Sequence, residues 1–90
     1  MKKLTILLAD DHKMLREGLR VLLDSQPGMR VVGEAASGKE VVDKAGELKP
    51  DVVVMDLSMP GLNGLQATEL LRTRHPAIKV VVLTAHEDES

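Results

Sequence analysis

Apolar residues gather in short continuous runs, separated by stretches where they recur at helical spacing. The first run, Leu4 to Ala9, is unbroken and β-rich, as suits a strand buried on both faces. From about Lys13 to Ser25 the period changes. Met14, Leu15, Gly18, Leu19, Leu22 and Leu23 fall on one helical face, with Arg16, Glu17, Arg20 and Asp24 mostly on the other. Pro27-Gly28 stops that helix. Arg30 to Ala35 alternates more, as an edge strand does. Ser37 offers an N-cap with Glu40 three residues on, opening a helix of roughly Gly38 to Leu48 that buries Val41, Val42, Ala45 and Leu48. Lys49-Pro50 breaks it, and Asp51 leads into a third strand ending at Asp56. Asn63 caps a third helix to about Arg74, ended by His75-Pro76, and Ile78 to Thr84 forms a fourth strand.

The order is β-α-β-α-β-α-β with short connections. It predicts an α/β doubly wound parallel sheet, with right-handed crossovers and helices on both faces. The apolar first and third strands belong at the centre, which gives the spatial order 2-1-3-4. Ninety residues make one domain or part of one, with a modest core. The absence of Phe, Tyr and Trp leaves aliphatic side chains and methionine to fill it; Met14, Met55 and Met59 read as packing residues. A net charge of −2 gives no basic footprint for nucleic acid in this segment. Cysteine is absent, which excludes disulfides and thiolate metal sites and fits a reducing compartment. The apolar runs are strand-sized and too short to cross a membrane. Met1-Lys2-Lys3 and the run behind it lead into Asp10-Asp11 without a cleavage-type small-residue site, so a secretion signal is not expected.

The chemistry lies where the strands end. Asp10-Asp11 closes the first run, Asp56 the third and Thr84 the fourth. In an open parallel sheet these carboxyl ends line the ligand crevice. Two carboxylates about 4 Å apart repel by roughly 4 kcal/mol at an effective dielectric near 20, so such a cluster needs a proton, a cation or a partner. A hard divalent ion, Mg²⁺, suits one or two carboxylates, water and a phosphate oxygen. Asp56 could then act as a carboxylate nucleophile toward phosphorus. Thr84 could donate its hydroxyl to a phosphoryl oxygen, and backbone N–H groups of the Ser58 turn could add donors. Plainer readings exist for each residue alone: Asp10-Asp11 could cap the first helix, and Thr84 could be an ordinary strand residue. Their joint placement at one end of successive strands favours a site. His12, His75 and His86 are scattered in loops or at helix ends and are not expected as metal ligands. Gly33 to Gly38 lacks the glycine spacing of a dinucleotide fingerprint.

Leu7-Leu8-Ala9-Asp10-Asp11-His12, then Val53-Val54-Met55-Asp56-Leu57-Ser58-Met59-Pro60-Gly61 with Gly64, and Val82-Leu83-Thr84-Ala85 together make the whole chain resemble the receiver domain of two-component response regulators. Asp10 to Leu19 is similar to the NarL/FixJ (LuxR-type) transcription-factor branch. The resemblance implies a flavodoxin-like (CheY-like) fold with Asp56 as phosphoacceptor. It implies Mg²⁺ held by Asp11, Asp56 and the Ser58 backbone carbonyl, with Asp10 acting through water or from just outside. Thr84, with Ala85 beside it, would be the switch hydroxyl, and Pro60, Gly61 and Gly64 would shape the turn. The phosphoryl donor would be a sensor histidine kinase or a small acyl phosphate. The domain would be a cytoplasmic signalling phosphoacceptor that assists its own phosphotransfer.

Receiver domains usually continue through a fourth helix, a fifth strand bearing a lysine, and a fifth helix. This sequence stops at Ser90, so residues 1–90 are expected to be the N-terminal portion of a receiver, without that lysine. Lys13 lies near the rim and reads as solvated. DNA would be reached only through a C-terminal domain outside these residues. The fourth strand, Val80 to Leu83, would be an open apolar edge, so a homodimer is expected. Two alternatives have different chemistry. A haloacid-dehalogenase-like Mg²⁺-dependent phosphatase wants a second aspartate where Ser58 stands, and a pure interaction module would take no phosphate.

Overall fold

The computed structural model describes residues 2–56 and 64–83. Seven elements follow one another: β1 (Leu4–Ala9), α1 (Lys13–Asp24), β2 (Met29–Ala35), α2 (Gly38–Leu48), β3 (Val52–Asp56), α3 (Gly64–Arg74) and β4 (Lys79–Leu83). The strands form one parallel sheet in the order β2-β1-β3-β4, as the hydrophobic pattern predicts. Register is continuous except between Ile6 and Leu7, where Val32 is the extra residue of β2. At the amino end of the sheet, Asp51 Oδ2 accepts from the backbone N–H and hydroxyl of Thr5, at 2.9 and 3.0 Å. These bonds hold the Asp51 carboxyl below the usual carboxylate range and pin the start of β3 to β1.

Alternating strand residues build two cores, because successive side chains leave opposite faces of a sheet. On one face Leu7, Ala9, Val53 and Met55 pack with Val41, Val42 and Ala45 of α2 and Ala67 and Leu71 of α3. On the other, Ile6, Leu8 and Val31 pack with the partly buried strand residues Met29, Val52 and Val54 and with Leu19 and Leu23 of α1. The Ser37 hydroxyl accepts the Glu40 N–H at 3.2 Å, as the capping pattern predicts. Glu40 Oε1 reaches back to the N–H of Ala36, one residue before the cap. Lys49 closes α2 in the left-handed region, with φ of 49°.

Three packing expectations need correction. Nothing on α1 is fully buried: Met14 is 86% exposed, and Leu15 and Leu22 are also open. Periodicity identifies an apolar stripe but not whether enough neighbouring structure covers it. Leu48 is exposed rather than buried, because it sits at the last turn of α2 and overhangs the edge strand. It lies so close over Gly33 that a Cβ there would come within 2.6 Å of Leu48 Cδ1. Arg16, on the expected polar face of α1, turns toward the strand ends instead.

Candidate metal and phosphoryl site

Asp10 follows the last residue of β1, and its backbone N–H is held by the Ala35 carbonyl at 3.0 Å. Asp56 is the last residue of β3, in register with Leu83. Both carboxylates are buried, whereas that of Asp11 is partly open. Ordered backbone on neighbouring strands therefore carries the acids to one rim. Asp10, Asp11, His12 and Asp56 each offer one ligand atom, all within 4.8 Å of one another.

The cluster contains one residue not expected there, His12. Its Nδ1 lies 3.1 Å from Asp10 Oδ1, 3.1 Å from Asp11 Oδ1 and 3.9 Å from Asp56 Oδ2. The hydrogen bond to Asp10, followed by the charge of Asp11, raises the imidazole pKa above 6.5. Asp10 Oδ1 also accepts the His12 backbone N–H at 2.8 Å, a local bond spanning two residues. Neither aspartate caps α1: its N-cap is His12, whose side chain makes no capping bond. A histidine directly after an acid pair at a strand end was the available sequence signal.

A second layer supports the rim. Arg16 Nη1 donates to the Asp10 carbonyl at 2.6 Å while its Nε donates to Glu34 Oε1 at 2.8 Å. Arg20 Nη1 donates to the other oxygen of Glu34 at 2.9 Å. The Arg16 hydrogen bond, helped by Arg20, lowers the Glu34 pKa from its ordinary 4.5. Among the described residues, no buried side-chain nitrogen or oxygen lacks a hydrogen-bond partner.

Three carboxylates and one imidazole make a compact, predominantly oxygen donor set that could hold a hard divalent cation. Gly64 stands at the first position of α3. Lys13 is exposed, and His75 is not part of the cluster. Met55 is fully buried, as expected of a packing residue, whereas Met14 is not. The expectations placed on Ser58, Met59, Pro60, Gly61, Asn63, Thr84, Ala85 and His86 lie outside the described residues. No helix among the described residues is long and apolar enough to cross a membrane.

Comparison with known proteins agrees with this geometry. The family described as the response regulator receiver domain matches residues 6–90. The response regulator GacA of Pseudomonas viridiflava is 50% identical over 84 residues, which cover 93% of this chain and 39% of that protein. The chain thus spans about 39% of the length of that curated relative. The response regulator domain of Thermotoga maritima CheB superposes with a TM-score of 0.90 at 40% identity, covering 99% of this chain and 66% of that one. A LuxR-family two-component response regulator from Aurantimonas sp. SI85-9A1 gives 0.90 at 41% identity, covering 96% and 61%. With its sheet order, its acid rim and these matches, the chain belongs to the receiver domains of two-component response regulators, of the NarL/LuxR type.

Proposed function

We propose that Asp56 is the phosphoacceptor of this signalling domain, with Mg²⁺ held by Asp11, Asp56 and the Ser58 backbone carbonyl and with Asp10 acting through water or from just outside the bound ion. The observation that carries the reading is the convergence of Asp10, Asp11 and Asp56 at one rim, two of them buried. The bound cation would neutralise the carboxylates and draw in phosphoryl oxygens. The Asp56 oxygen forms the new O–P bond as the P–N bond of a phosphohistidine, or the P–O bond of an acyl phosphate, breaks. The leaving group departs with the bonding electron pair. Asp56 is suited to this step because pairing on both sides of β3 holds its backbone still. Thr84, with Ala85 beside it, would meet the phosphoryl group, and Pro60, Gly61 and Gly64 would shape the adjoining turn.

In this reading the domain is cytoplasmic and its phosphoryl donor is a sensor histidine kinase or a small acyl phosphate. Transcriptional output passes through a DNA-binding domain outside residues 1–90, which form the N-terminal portion of the receiver. Such a domain assists its own phosphotransfer without being an enzyme that turns over. The family match supports this reading and not the dehalogenase-like phosphatase. We also propose homodimerisation, by pairing of β4, where Val81, Val82 and Leu83 are exposed, or by exchange of elements between two copies. A sedimentation profile with only monomer at micromolar concentration would refute that arrangement.

Acetyl phosphate with Mg²⁺, followed by intact mass measurement, tests the phosphoacceptor. A gain of one phosphoryl group is expected in the parent and none in Asp56→Asn; persistence of the label in that variant would overturn the assignment. Calorimetry tests the metal site. Asp11→Ala should remove most Mg²⁺ binding, and unchanged affinity would show that Asp11 is not a direct ligand.

A further inference from the structure

One residue bonds the backbone of the acid pair and neither of its carboxylates. Arg16 lies one turn into α1, and its guanidinium divides its donors between two acceptors on different elements. One is the carbonyl of Asp10 and the other is the carboxylate of Glu34 near the end of β2. Arg16 and Glu34 are both largely shielded, with side chains 16% and 21% exposed. Glu34 is anchored from further sides: Arg20 takes its second oxygen and the Lys44 ammonium donates to its backbone carbonyl. The guanidinium fork is planar, so fixing Nε on Glu34 also fixes where Nη1 points. That direction sets the Asp10 carbonyl.

The carbonyl belongs to the planar peptide joining Asp10 to Asp11, so holding it sets the orientation of the whole unit. The Asp10 N–H is independently fixed by the Ala35 carbonyl. The two bonds thus hold the Asp10 backbone at both its N–H and its carbonyl. We infer that Arg16, braced by Glu34, is a positioning residue that orients the Asp10–Asp11 peptide so that the acid pair faces Asp56. The inference rests on the reading of the rim as a divalent-cation site.

Electrostatics and positioning predict opposite signs here, which makes the role testable. Removing a cation near a dication site should tighten metal binding by charge alone. Loss of positioning should weaken it, and groups supporting metal ligands commonly change affinity by about tenfold or more. Mn²⁺ binding to the 90-residue protein, followed by electron paramagnetic resonance, serves as the probe. Arg16→Gln and Arg16→Lys should each weaken binding about tenfold, because lysine keeps the charge but cannot make both bonds. Arg20→Gln shares the Glu34 partner without touching Asp10 and should stay within about twofold of the parent.

Unchanged or tighter binding in both Arg16 variants would overturn the inference, as would an equal loss in Arg20→Gln. Asp11→Ala reports separately on the site itself: if the parent binds no Mn²⁺, or Asp11→Ala binds it undiminished, the cation reading fails. In that event the Asp10 carbonyl ¹³C and Asp11 amide resonances of the metal-free protein decide the positioning role. They should move in Arg16→Lys and hold in Arg20→Gln, and stationary resonances in Arg16→Lys would overturn it. Should Arg16→Gln fail to fold, Arg16→Lys supplies both readouts.

Discussion

Two leucine-to-alanine substitutions on opposite faces of the sheet should differ several-fold in cost. Leu71 on α3 is fully buried against the core that includes Val53 and Met55, whereas Leu22 on α1 is 58% exposed. Truncation at Leu71 removes the equivalent of three buried methylene-sized groups, about 2.4 kcal/mol of transfer free energy at about 0.8 kcal/mol each. The cavity left behind raises the cost to roughly 3–4 kcal/mol, within the range for buried leucines. At Leu22 much of the side chain already meets water and no closed cavity forms, so the loss should stay below about 1 kcal/mol. At typical per-residue values, 90 residues carry a total stability of only about 5–13 kcal/mol. Leu71→Ala therefore removes a large fraction of it. Urea unfolding followed by far-ultraviolet circular dichroism is the suitable assay, because the chain has no aromatic residue to report by fluorescence. With a slope of about 1–3 kcal/mol per molar, the Leu71→Ala midpoint should fall by about 1 M or more. Equal losses at the two positions, or a loss under about 1 kcal/mol at Leu71, would refute the unequal covering of the two faces.

Ser37→Ala should destabilise the fold by about 1 kcal/mol through loss of the α2 cap, measured in the same urea titration. Glu34 is held below its ordinary pKa of 4.5 by Arg16 and Arg20. Its contribution to stability is therefore full above that value and lost as pH falls through the lower folded-state value. Glu34→Gln should flatten the acid limb of a stability-against-pH profile below about 4.5 while lowering the neutral plateau. His12 shows the opposite sign: Asp10→Asn should bring its raised pKa back toward 6.5, read from ¹⁵N shifts of the imidazole across a pH titration.

Much of the fold can be read directly from the chain because its signals are local. β1 is apolar apart from Thr5 and β3 is apolar up to Asp56, and such runs mark strands covered on both faces. α2 begins at the residue that Ser37 and Glu40 indicate and stops where Lys49-Pro50 cannot continue a helix. Asp10, Asp11 and Asp56 could be placed on one rim from topology alone, since parallel strands with short crossovers bring their carboxyl ends together. What periodicity cannot measure is how much structure covers a face. The α1 stripe has the right spacing, yet only Leu19 and Leu23 find the sheet, while the same kind of pattern on α2 is buried. Side-chain direction at the rim is likewise a tertiary outcome. Arg16 reads as a solvent-facing charge until folding brings Glu34, eighteen residues away, within reach of its guanidinium. His12 reads as a loop residue until three carboxylates from two strand ends surround its Nδ1. Identity and spacing determine the elements and the acids they carry. The contacts that hold those acids in a working arrangement depend on distances between chain segments, which only packing decides.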